Sequence, residues 1–242
     1  MDSDTRSSKV HALGFYASIV TAILAVVTFG IAIATPLLSG PYCTSGCFGY
    51  PFAEAISRFP RDYYWMYPAI LLALAYYVLM VCIHHFSPQE TKIYSHIGIS
   101  FALFSAAVLV TDYFLQVSVI QPSLVQGESS GIALLTQFNA HGIFIALEEI
   151  GFLMMSLSLL FMAPVFSGKS KLEKALRWLF IACFALTILS LILYSVFYGI
   201  SREYRFEVAS ISFNWLTLIV SGILLAILFK RTATSSESRQ AV

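Results

Sequence analysis

The sequence predicts an all-α, polytopic integral membrane protein built as a bundle of six transmembrane helices. Hydrophobic residues make up 58% of the 242 residues and charged residues only 11%, whereas a soluble domain carries about 25% charged residues. Six stretches also have, or approach, the length of about 20 apolar residues that a spanning helix needs. The net charge of +1 gives no basic surface for nucleic acid, so the lipid bilayer is the first expected partner.

The six predicted spans follow one another along the chain. They run from Ala12 to Leu38, Trp65 to Phe86, Ile93 to Ile120, His141 to Phe166, Ala175 to Ile200 and Phe206 to Phe229. The first run is longer than the apolar core of a signal peptide, so we interpret it as a retained span. Residues 1–11 are then a cytoplasmic N-terminal segment, residues 12–230 the membrane domain, and the polar residues 231–242 a tail that we expect to be disordered.

The distribution of basic residues predicts the orientation of the bundle. Ten lysines and arginines lie on the side of the two termini and only four on the other side. Positively charged residues are enriched in cytoplasmic loops, so both termini are expected in the cytoplasm. The outward loops contain no Asn-x-Ser/Thr glycosylation signal, which favours a bacterial-type plasma (inner) membrane.

The first outward loop carries two separate features. Cys43 and Cys47 are close enough in sequence for a structural disulfide in an oxidising exterior. Phe52, Ile56 and Phe59 recur at helical spacing after Pro51, which predicts a short helix at the membrane surface. The aromatic residues from 63 to 67 that follow are typical of an interfacial belt, with ligand stacking as the alternative.

The connection between the third and fourth spans is long enough to have a function of its own. Residues 121–139 contain no Lys or Arg and include an apolar patch from Ile132 to Phe138. Such a connection can fold over the outer mouth as a lid or lie as an interfacial turn. Asn139 is in a position to cap the fourth helix.

Three carboxyl groups lie well inside the predicted spans, several residues from either end. Asp112 is in the third span, and Glu148 and Glu149 are in the fourth; each costs about 3 kcal/mol to insert unless it is paired, protonated or turned inward. Counted from the outer helix ends, Asp112 and Glu148 lie at the same depth, about 9 to 12 Å below the interface. Polar residues on three further helices fall near this level, namely Thr28, Tyr194 and Asn214.

These positions predict an acidic, hydroxyl-rich pocket in the outer half of the bilayer. Glu148 is the expected inward carboxylate because it is seven residues from His141 and shares a helix face with it, whereas Glu149 points about 100° away. Asp112, Glu148 and Asn214 would suit a hard cation, but closely spaced His or Cys ligands are missing from the sequence, so we predict neither a metal nor a cofactor. The candidate site residues are Asp112, Glu148, Glu149, His141, Tyr194 and Asn214.

Three functions fit this pocket. The first is binding or translocation of a small ligand, a cation or a proton, with Asp112 and Glu148 as counter-charges. The second is a membrane-embedded enzyme in which the acid pair donates and accepts protons on a lipophilic substrate. The third is a structural subunit whose buried acids only hydrogen-bond helices together. A six-helix chain would have to dimerise to support alternating access, so a homo-oligomer is a further expected partner.

Overall fold

Six long helices make up most of the protein. A computed structural model describes residues 2–128, 130–166, 168 and 170–240. It contains eight α-helices, and six helical segments are long and apolar enough to cross a membrane. The structure therefore confirms the all-α class and indicates a multi-pass membrane protein. The candidate spans are Lys9–Ala34, Arg61–Phe86, Gln89–Val125, Ile143–Val165, Lys171–Arg202 and Tyr204–Ala233.

The helices are numbered in chain order. They are α1 (Asp2–Ala34), α2 (Met66–Phe86), α3 (Lys92–Leu115), α4 (Gln121–Val125), α5 (Ile132–Leu135), α6 (Ile143–Met162), α7 (Lys171–Tyr198) and α8 (Tyr204–Gln240). A π-helical turn over Gln116–Ile120 joins α3 to α4. The first and last helices extend beyond the predicted membrane domain: α1 includes the segment up to residue 11, and α8 continues through the expected tail to Gln240, beyond which residues 241 and 242 lie outside the described part.

The fourth span begins two residues later than predicted. Gly142 has an extended backbone, with φ −79° and ψ 173°, and α6 starts at Ile143. The Asn139 side chain accepts a hydrogen bond from the His141 N–H and donates one to the Ala133 carbonyl. Asn139 therefore holds the preceding turn and does not cap the helix, and His141 lies outside α6.

The first and last helices pack closely through small residues. Gly222 of α8 faces Ser18 and Ala22 of α1, and a Cβ added at Gly222 would lie 2.8 Å from the Ser18 carbonyl oxygen and 2.9 Å from the Ala22 Cβ. Small residues let the backbones of membrane helices approach each other and gain van der Waals contact. The two ends of the chain are thus joined into one side of the bundle.

A pair of reciprocal hydrogen bonds fastens α3 to α6. Ser105 of α3 donates to the Gly151 carbonyl of α6 at 2.8 Å, and Ser158 of α6 donates to the Gly98 carbonyl of α3 at 2.8 Å. Both serines are fully buried. The glycines allow this approach, since a Cβ at Gly151 would lie 2.6 Å from the Leu109 side chain.

Removing either hydroxyl is expected to weaken the bundle measurably. Ser105→Ala and Ser158→Ala should each lower the free energy of unfolding by about 1 kcal/mol, because each removes the hydroxyl that donates to a buried carbonyl of the neighbouring helix. Denaturation of the reconstituted protein measures this. Ser100→Ala is the matched control, since exposed Ser100 bonds only within its own helix, to the His96 carbonyl. Equal stability of all three variants would contradict the role given to these bonds.

Three connections are gathered at one end of the bundle, the loop-rich end, which comprises residues 35–65, 116–142 and 199–203. A disulfide joins Cys43 to Cys47 in the first connection. The segment expected to form a surface helix is a 3-10 helix over Ala53–Arg58, and Ala55 within it is buried. The first two connections contact each other through the Phe48 and Phe138 rings, whose centroids are 5.2 Å apart. The loop-rich end therefore has a packed layer of its own above the helices.

Two arginines at the loop-rich end share one buried carboxylate. Asp62 is fully buried, and its carboxylate pairs with Arg58 at 3.1 Å and with Arg61 at 2.7 Å. The Asp62 backbone carbonyl also accepts a hydrogen bond from Gln137 of the second connection. These contacts tie residues 58–62 to the layer that covers the helices.

Candidate functional site

Two buried glutamates from different helices meet near the loop-rich end. Glu148 lies five residues into α6 and is 1% exposed, and its Oε1 accepts a 2.8 Å hydrogen bond from the Tyr113 hydroxyl of α3. Glu207 lies in the first turn of α8 and is 7% exposed. The two carboxyl groups interact electrostatically, and the Glu207 Oε2 atom has no hydrogen-bond partner among the described residues. Two neighbouring carboxylates in a site shielded from water repel each other, so the pair is expected to hold one proton.

Both carboxyl groups line a cavity of about 340 Å³. The cavity lies between the loop-side ends of α1, α6 and α8. Its floor is the edge-to-face contact of Phe29 with Trp215, whose ring centroids are 5.7 Å apart. Its walls combine aliphatic and aromatic side chains; the lining rings belong to Phe29, Trp65, Phe138, Phe144, Tyr204 and Trp215.

The roof of the cavity is held by a chain of hydrogen bonds. The hydroxyls of Ser39 and Tyr204 are 2.7 Å apart, and Tyr204 donates to the Gln137 carbonyl at 2.7 Å. Gln116 fixes the same segment by donating to the Leu135 carbonyl and accepting from the Gln137 N–H. Gln137 and Phe138 belong to the long second connection. This connection therefore supplies part of the cavity wall, and these hydrogen bonds hold it in place.

The other predicted acids lie around the cavity without lining it. Asp112 is 2% exposed and is an electrostatic neighbour of Glu148, but its Oδ2 atom has no hydrogen-bond partner among the described residues. Glu149 pairs with Arg202, beyond the end of α7. Of the three carboxyls predicted from the sequence, Glu148 alone faces the cavity.

The remaining predicted site residues are also placed elsewhere. His141 is exposed and precedes α6, so the prediction that it shares a helix face with Glu148 is wrong. Asn214 is buried between α7 and α8, where its side chain donates to the Ser210 carbonyl and its Oδ1 lies 3.7 Å from the Cys183 sulfur. Tyr194 is partly exposed and packs against Tyr198, with ring centroids 6.1 Å apart. Neither Asn214 nor Tyr194 lines the cavity.

Sequence reasoning missed Glu207 and gave ligand stacking at Trp65 only as an alternative. Glu207 lies one residue inside the predicted sixth span, close to Arg202 and Arg205, and so resembles an interfacial charge. The available signal was its spacing, since Glu207 extends the polar face of Ser210, Asn214, Thr217 and Ser221 by three residues toward the N terminus. Trp65 was assigned to an interfacial belt, but it is 7% exposed and packs against Tyr113 at a ring distance of 5.2 Å.

Glu148 and Glu207 have no basic partner among the described residues. Among the described residues, neither Glu148 nor Glu207 takes part in an ion pair, and no group of three or more His, Cys, Asp and Glu is placed to hold a metal ion. Buried carboxyls without a counter-charge are costly, and such groups in a membrane helix mark functional sites by default. The pair has acceptor capacity that a cation or a hydrogen-bond donor would satisfy.

A second, more polar cavity of about 590 Å³ lies within the loop-rich end. Thr44, Ser45 and Gly46, which the disulfide encloses, line it together with Arg58. It shares the wall formed by residues 36–38 with the cavity that holds the glutamates. That cavity between α1, α6 and α8 is called the glutamate cavity below.

Known proteins give no indication of the function of this chain. Comparison with protein-family models, with curated proteins and with solved structures found no match. The candidate site therefore rests on geometry alone: two carboxyl groups face a cavity with aliphatic and aromatic walls near one end of a six-helix bundle.

Proposed function

We propose that the protein binds a small organic ammonium compound in the glutamate cavity. The observation that carries this proposal is the pair Glu148 and Glu207, which face the cavity and take part in none of the ion pairs of the described residues. An ammonium group supplies both the positive charge and the N–H donors that two carboxyls need. In a site shielded from water these charge-assisted hydrogen bonds are stronger than at a surface.

The aromatic walls support the same class of ligand. Rings of Trp, Tyr and Phe attract cations to their faces, and tryptophan is the strongest of the three. Trp65 and Trp215 both line the cavity, and their ring centroids are 6.2 Å apart. An apolar body attached to the ammonium would fill the remaining space, which favours an amine over a hydrated metal ion.

The proposal includes the orientation of the protein. We place the loop-rich end outside a plasma (inner) membrane and both termini in the cytoplasm, as the distribution of lysine and arginine favours. The glutamate cavity then lies in the outer half of the bilayer. A homo-oligomer, and translocation of the bound cation, remain extensions of this proposal.

The test is an amine titration followed by tryptophan fluorescence. Trp65 and Trp215 line the cavity, whereas the third tryptophan, Trp178, is 67% exposed. In a Trp178→Phe background, all tryptophan fluorescence therefore comes from the cavity walls. Hexylamine should change this signal, and Glu207→Gln should weaken its binding about tenfold, because one charge-assisted hydrogen bond becomes neutral. Hexanol should bind more weakly and should be insensitive to the substitution.

Glu203→Gln is the matched control for this experiment. Glu203 precedes α8, interacts with Arg205 and does not line the cavity, so the affinity for hexylamine should stay at the wild-type value. The proposal fails if hexanol and hexylamine bind alike, or if Glu207→Gln and Glu203→Gln have the same effect.

The same carboxyl pair favours a second candidate function, a membrane-embedded enzyme. A carboxyl that carries a proton and faces an apolar cavity is suited to protonate a lipophilic substrate, and Tyr113 would orient Glu148. Such an enzyme would bind neutral apolar molecules equally well in wild type and in Glu207→Gln. The third reading, a structural subunit, predicts that the substitution changes only stability.

A further inference from the structure

We infer that the glutamate cavity opens sideways into the bilayer, between the loop-side ends of α1 and α8, and that its ligand is a long-chain amine whose chain lies in the lipid. This inference rests on the proposed function and names the ligand class and the route of entry. It follows from which sides of the cavity are closed, which side is exposed, and where the charge lies.

The exposed side of the cavity is uncharged. Ile33, at the end of α1, is 70% exposed and Leu37, just beyond it, is 42% exposed, and both line the cavity. On the opposite side Val208 and Ser212 of α8 line it and are partly exposed. Helices that cross a bilayer turn such exposed apolar side chains toward lipid. This side is therefore a lateral opening, bounded by Ile33, Leu37, Val208 and Ser212.

The side that faces the loops is closed. The Ser39, Tyr204 and Gln137 hydrogen bonds cross it. Phe138 lies beneath them, 4% exposed and in contact with Phe48. A ligand that entered from water would have to break these contacts, whereas a ligand dissolved in the membrane meets only apolar side chains at the lateral opening.

The second cavity is not a route from water into the glutamate cavity. It is separated from the glutamate cavity by residues 36–38, and Leu38 within this wall is 8% exposed. The Leu38 carbonyl accepts a 2.7 Å hydrogen bond from the Phe48 N–H, which holds the wall to the first connection. The polar cavity is therefore a neighbour of the glutamate cavity across a fixed partition.

The positions of charge and opening define the shape of the ligand. The carboxyls of Glu148 and Glu207 lie inside the cavity, and the Phe29–Trp215 contact closes its floor. If the ammonium head binds the carboxyls, the attached alkyl chain can leave the cavity on one uncharged side only, between α1 and α8. An alkyl chain too large for a cavity of about 340 Å³ would be accommodated because it extends into lipid, where its burial costs nothing.

Competition between a short and a long amine tests this inference. In lipid nanodiscs carrying the Trp178→Phe protein, hexadecylamine should displace bound hexylamine. Ser212→Phe places a ring at the lateral opening and should weaken hexadecylamine at least tenfold. Val220→Phe is the matched control, because Val220 lies two turns along the same helix, is 45% exposed and does not line the cavity; it should behave as wild type.

The outcomes separate this inference from the proposed function. If hexylamine binds and hexadecylamine does not displace it, the cavity is closed to the bilayer and the inference is overturned while the proposed function stands. The same holds if Ser212→Phe and Val220→Phe give equal affinities for hexadecylamine. If neither amine binds, both are wrong. The comparison of the two amines in the unsubstituted cavity decides the matter even if Ser212→Phe does not fold.

Discussion

A protein carrying both Glu148→Gln and Glu207→Gln is expected to bind hexylamine at least about a hundredfold more weakly than wild type, since each charged partner of an ammonium is worth about 1.5 to 3 kcal/mol. The amide groups keep the size of the side chains and remove the charge. The cavity volume should therefore be preserved, and the binding of hexanol with it. A fluorescence titration in the Trp178→Phe background measures the loss.

The wild-type titration should also release a proton. The carboxyls of Glu148 and Glu207 interact electrostatically, and two such neighbouring buried carboxyls are expected to share one proton. An ammonium that donates to both replaces this proton, so about one proton should leave per amine bound. Calorimetry in buffers of different ionisation enthalpy detects it as a buffer-dependent heat. A heat that is the same in every buffer would show that binding is not an exchange of cation for proton.

Replacing Gly222 with valine is expected to cost at least about 3 kcal/mol of folding free energy, because the new Cβ meets backbone rather than a mobile side chain. The nearest atom would be the Ser18 carbonyl oxygen at 2.8 Å. The α1 and α8 backbones must then separate along their closest contact. Thermal unfolding of the reconstituted protein measures the effect.

Gly30→Val is the control for this prediction. Gly30 is an exposed helical glycine of α1, and a Cβ there meets no atom within 4 Å. Its replacement introduces the same β-branched side chain on the same pair of helices without a clash. If the two variants lost equal stability, the close approach of α1 and α8 would not be what holds them together.

The number of membrane-spanning helices was predictable because a span is a local property of the chain. Runs of apolar residues must reach the thickness of the bilayer, and this length is visible in the sequence. The helix ends were harder to predict. The fourth span begins at Ile143 because the Asn139 side chain and the extended Gly142 fix the preceding turn, and these contacts depend on the tertiary structure.

The candidate site was only partly predictable. Helical spacing correctly indicates that Asp112 and Glu148 are buried, because an acid in a span must turn inward. It does not reveal which buried side chains share a cavity. Asn214 and Glu207 lie on the same helix face, yet Asn214 contacts α7 and Glu207 meets Glu148. The two residues have different partners because α8 lies against α6 near Glu207 and against α7 near Asn214, and this depends on the tertiary structure.

The contact between α1 and α8 has a consequence for biosynthesis. Ribosomes deliver the helices in order, so the partner of the first helix is the last to arrive. The floor contact of Phe29 with Trp215 and the pairing of Glu148 with Glu207 both need α8. A nascent chain with five inserted helices therefore carries Glu148 without Glu207, and the glutamate cavity forms only after α8 has been synthesised.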